Sequence, residues 1–292
     1  MSGYNYKWVN QDLHYNYTRW LLKGFNNAEM YYLRILRDGV DNTINSGINY
    51  VNSNFDDLNT LHDHLDWHDY YEDTGELDSI LYNVKQSNIN NGLEPIYDFY
   101  RSGGDLASAH MHKELVDNEA TTIGLQLLSQ FISTVIDSIN SELIIGMTQL
   151  IGQSIEDKDL ESFARNMLDA PYTSGDTKFH LSKDVIHSKG LSSFSTDTRC
   201  IFAAKTEYNR CVNTGLLQQY ENYGVDSFDW ITSGLPNTCK ECLNIESKSP
   251  YTLDEIMSIG LPHHPNCECS IKARLPVNIS LKNNPRVVDL TF

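Results

Sequence analysis

The chain has 292 residues, of which 40% are hydrophobic and 21% charged, a composition that can build a folded core and excludes disorder throughout. Its formal net charge of −17 excludes a broadly basic protein that coats DNA, because phosphate binding needs an excess of Lys and Arg on the surface. Residues 1–180 carry 11 Lys and Arg against 27 Asp and Glu, whereas residues 181–292 carry 11 against 12. The acidic excess therefore lies in the first two thirds of the chain.

The sequence contains no targeting or membrane pattern. Its N-terminus lacks the basic stretch followed by an apolar run that marks a secretory signal. The most apolar stretch, residues 143–155, is interrupted by glycines and polar residues and is shorter than the roughly 18 apolar residues of a membrane span. We therefore expect a soluble chain with no membrane partner, acting in the cytoplasm or inside a particle assembled there.

Residues 1–104 are predicted to form a helical, acidic N-terminal region, to which no function is assigned. From Asp12 to Asp38 apolar side chains recur mostly three or four positions apart, which predicts an amphipathic helix with an interruption near Gly24. The apolar positions of this helix are Leu13, Tyr17, Trp20, Leu21, Phe25, Met30, Leu33 and Leu36.

Three histidines lie in an acidic stretch of the same region. His64 and His68 are four apart and share a helix face, so with His62 they could bind a metal ion. The alternative, which we favour, is a solvated acidic helix whose leucines and Trp67 face a neighbouring element.

A second helical region is predicted over residues 105–170, after a loop at Gly103-Gly104. It comprises a long helix from Asp105 to about Ile151, a polar break and a short final helix. The stripe on the long helix is typical of helix–helix contact: Ile123, Leu127, Leu128, Phe131, Val135 and Ile139. Residues 171–196, rich in Thr, Ser, Gly and Lys, predict a linker or hinge.

Residues 197–276 contain the motifs that are most informative about function. A helix is expected from Asp197 to about Gly224, because apolar residues recur there at helical spacing, and Glu207 and Arg210 on it are three apart and can pair. Alternating apolar and polar residues then predict a strand over residues 225–231.

Four of the six cysteines crowd into 31 residues of this segment, which is typical of metal ligands rather than of a disulfide framework. A Cys-x2-Cys knuckle is followed, 21 residues later, by a His-x2-Cys pair. Four N and S ligands in two close pairs predict one tetrahedral structural zinc ion with no open position for a substrate. The predicted ligands are Cys239, Cys242, His264 and Cys267, with His263 and Cys269 as spare candidates.

Other interpretations of these residues remain open. The thiols could be buried and free in a small C-terminal lobe. Cys267 with His264 could be a thiol–imidazole pair, although peptidase partners normally come from distant segments. His263, His264 and Asn266 could serve a single-metal nuclease, but no second catalytic segment supports it. The His-x-Glu signature that a zinc deaminase needs is absent.

The order of these motifs resembles the minor head proteins of tailed phages, the Mu F-like head morphogenesis family. In that family the helix carries Arg-Thr-Glu, here Lys205-Thr206-Glu207, and a Trp follows, here Trp230. The closing motif His-Pro-Asn-Cys-Arg-Cys is matched by residues 264–269, except for Glu268. The acidic and basic residues that usually precede Thr-Cys-x2-Cys are missing at residues 235–237.

The resemblance implies a virion component. It would be a minor capsid, or head morphogenesis, protein of a tailed virus or provirus, made in the host cytoplasm and bound inside the head near the portal. It would act in head assembly or DNA delivery by binding rather than by catalysis, with the portal protein and other capsid or scaffold proteins as partners. The runner-up is a virion-associated enzyme of the nuclease or transferase type that uses the Cys/His module.

The end of the chain has a basic bias. Residues 277–292 are expected to form a basic flexible tail, and counting from residue 270 the end carries Lys272, Arg274, Lys282 and Arg286 against Asp289. Any DNA contact through this tail would be weak and independent of sequence. In fold class we expect a mainly α protein, with a helical N-terminal and central region followed by a small α+β, zinc-stabilised C-terminal module.

Overall fold

A computed structural model of the chain describes residues 26–117, 119–169, 196–234 and 238–274. Of the predicted linker at residues 171–196 only residue 196 is described. The tail at 277–292 and the N-terminal half of the first predicted helix lie outside these ranges. The elements in chain order are α1 (Asn27–Ser53), α2 (Phe55–Leu58), α3 (His64–Thr74), α4 (Glu76–Leu93), α5 (Ile96–Met111), α6 (Glu119–Glu156), α7 (Leu160–Asp169), α8 (Thr196–Asn222), β1 (Phe228–Ile231), α9 (Lys240–Glu246), α10 (Leu253–Ile259) and β2 (Ser270–Ala273).

Helix α1 begins at a capping box. The Asn26 side chain accepts the Glu29 N–H at 2.9 Å, and the Glu29 carboxylate accepts the Asn26 N–H at 2.7 Å, which satisfies two backbone donors at the helix start. The predicted helix is confirmed from residue 27 onward and runs 15 residues past Asp38, to Ser53. Its expected interruption near Gly24 lies outside the described residues.

The acidic stretch with the three histidines forms α3. Trp67 is buried and its ring contacts those of Tyr70 and Tyr71, which agrees with a helix packed on a neighbour. Leu65 is 73% exposed, so the prediction that the leucines face inward is wrong at that position. The side chain of His64, one of the proposed ligands, lies outside those that the structure describes, and the described side chains of this stretch contain no group of candidate metal ligands.

The loop predicted at Gly103-Gly104 is wrong, because both residues lie inside helix α5. A Cβ atom at Gly103 would lie 1.8 Å from the Val212 carbonyl oxygen, and one at Gly215 would lie 1.9 Å from the Tyr100 carbonyl oxygen. The glycines are thus the contact surface of two helices, α5 and α8, that cross with their backbones touching. The boundary expected between residues 104 and 105 falls within the same helix.

The central region is helical, but its limits differ from those predicted. The chain leaves helix α5 at His112, which has a left-handed φ of 53°, and α6 begins only at Glu119. Helix α6 then continues through Gly152 to Glu156, so the polar break lies a few residues later than expected. The short final helix is confirmed as α7.

Two apolar cores hold the described part of the chain together. The larger lies between α1, α3, α4, α5, α6, α7 and the first half of α8, together with Leu58 of α2. The smaller is formed by the C-terminal lobe, with Phe228 and Trp230 of β1 packed against Leu216 and Tyr220 at the end of α8. Helix α8 therefore belongs to both cores.

Ion pairs fix the start of α8 to the helical body. Arg37 of α1 donates two hydrogen bonds to Asp197, at 2.6 and 3.0 Å. Arg199, whose side chain has no exposed surface, donates to Glu142 of α6 at 2.9 Å. Both pairs span long sequence separations, so they set the position of α8 in the body.

The C-terminal lobe is small and mixed. Strands β1 and β2 pair antiparallel, with Phe228 opposite Ala273 and Trp230 opposite Ile271, and Phe228 also bridges to Tyr251. Two short helices, α9 and α10, complete the lobe. The fold is thus mainly α with a small α+β module near the C-terminus, as the sequence predicts.

Candidate metal centre

The first half of the candidate centre is built by the start of helix α9. Cys239 is its N-cap residue, and the Cys239 sulfur accepts the backbone N–H of Cys242 at 3.3 Å. A thiolate is favoured at this position because it satisfies a free donor at a helix N-terminus. The Cys-x2-Cys spacing then places Cys242 one turn further, with its sulfur on the same side.

The second half is a tight turn between α10 and β2. The Cys267 N–H donates to the His264 carbonyl at 3.0 Å, and Asn266 within the turn has a left-handed φ of 58°. The Nδ1 atom of His264 lies 2.9 Å from the Pro265 carbonyl oxygen, which fixes the tautomer and ring orientation. The Nε2 atom is thereby directed at the two cysteines of the first half.

The two halves meet at ligand distances. His264 Nε2 lies 3.2 Å from Cys239 Sγ and 3.3 Å from Cys242 Sγ, and the sulfurs of Cys242 and Cys267 are 3.9 Å apart. Around a tetrahedral zinc ion the S–S and S–N edges are about 3.8 and 3.6 Å. The cluster is therefore close enough to hold a metal ion.

The candidate ligand atoms form two overlapping groups, each with all atoms within 4.8 Å of one another. One contains Cys239, Cys242 and His264, and the other contains Cys242, Cys267 and Cys269. The four predicted ligands are thus divided between the two groups, and Cys267 shares its group with Cys242 and the spare candidate Cys269. The other spare candidate, His263, belongs to neither group, and its ring lies 3.3 Å from the Ile259 carbonyl and 3.7 Å from Glu241.

The thiols differ in acidity. A hydrogen bond from Cys269 lowers the pKa of Cys267 to about 5, and the same contact raises the pKa of Cys269. Burial raises the pKa of Cys242, whereas at Cys239 burial is outweighed by the Cys242 N–H and by His264, which lower its pKa. The pKa is thus lowered at two thiols of the cluster and raised at the other two, and a bound cation would favour the thiolate form of all four.

The other two cysteines take no part in the cluster. Cys200 and Cys211 are buried in the core of the helical body. Burial raises the pKa of both thiols, that of Cys200 to about 12. They behave as small apolar side chains there.

Helix α8 holds the turn that carries the ligands. The Asn266 N–H donates to the Thr206 hydroxyl at 3.1 Å, and the Lys205 ammonium pairs with Glu268. Two of the three residues of the Lys-Thr-Glu motif therefore bind the residues on either side of Cys267. Lys205 and Thr206 thus tie helix α8 to the lobe.

Two further residues of α8 were not identified from the sequence. Asn209 and Asn213 donate side-chain hydrogen bonds to the Cys269 carbonyl at 3.4 and 3.2 Å, and Asn213 accepts the Ser270 hydroxyl at 2.8 Å. Their spacing of four residues, one turn from Thr206, is the signal that marks them as part of the same helix face. They satisfy backbone and side-chain groups where β2 begins.

Glu207 and Trp230 complete the motif residues. Glu207 is 1% exposed and accepts Arg210 Nε at 2.8 Å, as predicted, while the Arg210 guanidinium lies 4.2 Å from the centre of the Phe131 ring. The second carboxylate oxygen of Glu207 has no hydrogen-bond partner among the described residues. Trp230 is fully buried in the core of the lobe, and its backbone N–H donates to the Ser249 hydroxyl at 2.9 Å.

Comparison with known proteins does not assign a family or a function to the chain. No protein-family model, no curated protein and no solved structure matches the chain.

Proposed function

We propose that the cluster binds one structural zinc ion through Cys239, Cys242, His264 and Cys267. The support is the chemistry of the ligand set, since thiolate and imidazole in two close pairs favour zinc. The 3.9 Å separation of the Cys242 and Cys267 sulfurs agrees with a tetrahedral edge. Cys267 is preferred to Cys269 as the fourth ligand because of this distance between its sulfur and that of Cys242, and its lowered pKa agrees with the choice.

The ion would stabilise the lobe rather than take part in a reaction. Four protein ligands leave no coordination position for a substrate. The polar side chains that α8 directs at this region bind the backbone and Glu268, as described for Thr206, Lys205 and Asn213. A lobe with two four-residue strands and two seven-residue helices has little apolar core, so metal binding would supply part of its folding free energy.

For the whole chain we propose a minor head protein of a tailed virus or provirus, which acts by binding the portal or other capsid proteins. The observation that carries this proposal is a contact between the two segments that resemble the family. Lys205 and Thr206 of the helix motif bind Glu268 and Asn266 of the closing motif, 60 or more residues later. Because the helix motif and the closing motif contact each other, both are needed to build the same interface, which explains why they occur in one chain.

The experiment that tests this role uses particles. Cells that carry the gene within its provirus are induced, and full and empty particles are separated on a density gradient and analysed by mass spectrometry. We expect the chain in both fractions at a few copies per particle, cross-linked to the portal protein. Its absence from purified particles would contradict the proposal, and a nuclease or transferase activity lost with Cys239→Ser would favour the enzyme alternative.

A further inference from the structure

The first three turns of helix α6 present an apolar stripe to solvent. Ile123 and Leu127, one turn apart, are 49% and 61% exposed, and Phe131 follows after one more turn, half-buried beneath Arg210. The whole helix is long and apolar enough to span a membrane by composition, yet it packs against α1, α4, α7 and α8. Large apolar side chains placed together on a folded surface are typical of a contact face.

Acidic groups border the stripe. The Gln218 side chain lies 3.7 Å from the position that a Cβ atom on Gly124 would take, and Gln218 donates to Glu221 at 3.1 Å. The Tyr100 hydroxyl lies equally close to Gly124, and both Asp117 and Glu221 help burial to raise its pKa to about 12. A partner of the stripe should therefore be apolar on one face and basic beside it.

Residues 1–25 of the same chain have this chemistry. Their apolar positions Leu13, Tyr17, Trp20 and Leu21 recur at helical spacing, Lys23 would lie toward one border of that stripe, and Arg19 one turn before it on the same flank. The segment holds three basic residues against one acidic residue, in a chain whose net charge is −17. A second copy of the chain would instead bring one acidic border against another.

The point of attachment is within reach. The segment joins the described part of the chain at Asn26, whose side chain hydrogen-bonds Tyr208 of α8. Tyr208 lies two residues before Arg210, which covers Phe131 at the end of the stripe. The 13 residues from Leu13 to Asn26 extend about 20 Å as a helix, and more than twice that when extended.

We propose that residues 12–25 dock as an amphipathic helix on Ile123, Leu127 and Phe131, with Arg19 and Lys23 toward Asp117 and Glu221. The docked segment covers the apolar stripe of α6. Because the chain connects the two surfaces, their effective concentration is high and a modest contact area suffices.

Hydrogen exchange of the full chain tests the proposal. We expect residues 12–25 to exchange at least tenfold more slowly than the same peptide alone, and Leu127→Asp to remove this protection. Leu127 is 61% exposed, so its substitution leaves the fold intact, and Ile145→Asp is the matched control, since Ile145 is 55% exposed on the same helix outside the stripe. The charge reversal Arg19→Glu with Lys23→Glu should weaken protection, and Asp117→Lys with Glu221→Lys should restore it.

Three results would overturn the proposal. The segment would exchange at the peptide rate in the full chain, or Ile145→Asp would release it as well as Leu127→Asp does. Alternatively, its protection would depend on protein concentration and vanish together with a dimer seen by light scattering, which would make a second copy the occupant.

Discussion

At the scale of single residues, the cluster offers one more sulfur than a tetrahedral ion needs. Cys267 and Cys269 are two residues apart, and the sulfurs of both lie within 4.8 Å of the Cys242 sulfur. Hydrogen bonding between them lowers the pKa of Cys267 and raises that of Cys269. The spacing in the sequence cannot make this choice, because both residues follow His264 closely.

The choice of ligand is testable by paired substitutions. We expect Cys267→Ser to lower the zinc content of the purified chain from one ion to well below one. Cys269→Ser should keep close to one ion per chain, since it removes only a hydrogen bond to the ligand thiolate. Metal content measured by plasma mass spectrometry decides the matter, and loss of zinc from Cys269→Ser alone would reverse the assignment.

A second prediction at this scale concerns Glu207 and the pH dependence of the free energy of unfolding. Burial raises its pKa above 4.5 despite the nearby Arg210, so the folded state binds this proton more tightly than the unfolded state. The stability that Glu207 contributes is therefore greatest below pH 4.5, and it falls as the pH rises through the raised pKa. Urea unfolding between pH 4 and 8 should show wild type losing stability relative to Glu207→Gln, and a difference that stays constant with pH would contradict this.

At the scale of elements, the crossing of α5 and α8 explains why the sequence prediction failed at Gly103. A Gly-Gly pair usually marks a turn, because glycine weakens a helix by about 1 kcal/mol relative to Ala. Here the missing side chains let two backbones touch, a reason that arises only from the partner helix. Local helix propensity cannot predict this contact, because the partner residue lies more than 100 positions away in the sequence.

Substitution of the crossing glycine should be costly. Gly103→Ala places a methyl group 1.8 Å from the Val212 carbonyl oxygen, so α5 and α8 must separate. We expect a loss of about 2 kcal/mol or more in the free energy of unfolding. The control is Gly124→Ala, whose Cβ atom meets nothing closer than 3.7 Å and should be neutral or stabilising. Equal stability of the two variants, measured by denaturant unfolding, would show that the helices can move apart freely.

At the scale of the whole molecule, the sequence predicts the class of the fold better than it predicts where each helix begins and ends. Helical periodicity identifies α1, α7 and α8, and the cysteine and histidine spacing identifies the residues that the lobe brings together. The start of α6 was missed because the left-handed turn at His112 has no Gly or Pro to mark it. Asn209 and Asn213 were missed because a polar residue on an apolar helix face has a role only once its partner strand is placed.

The two cores predict how the molecule responds to metal removal. The smaller core joins the lobe to Leu216 and Tyr220 at the end of α8, whereas α1, α4 and α6 lie in the larger one. Chelation should therefore speed hydrogen exchange in the lobe and in the last turns of α8, and leave α1 and α4 protected. Uniform loss of protection across both cores would instead mean that the lobe and the helical body unfold as one unit.

The central claim is that Cys239, Cys242, His264 and Cys267 hold one structural zinc ion. The most direct measurement is the metal content of the full chain, purified without added metal, together with the reactivity of its thiols in the folded state. We predict one zinc per chain, lost in Cys239→Ser, with the cluster thiols protected until a chelator is added. A folded chain that contains no metal, and whose four cluster thiols react freely, would contradict the account.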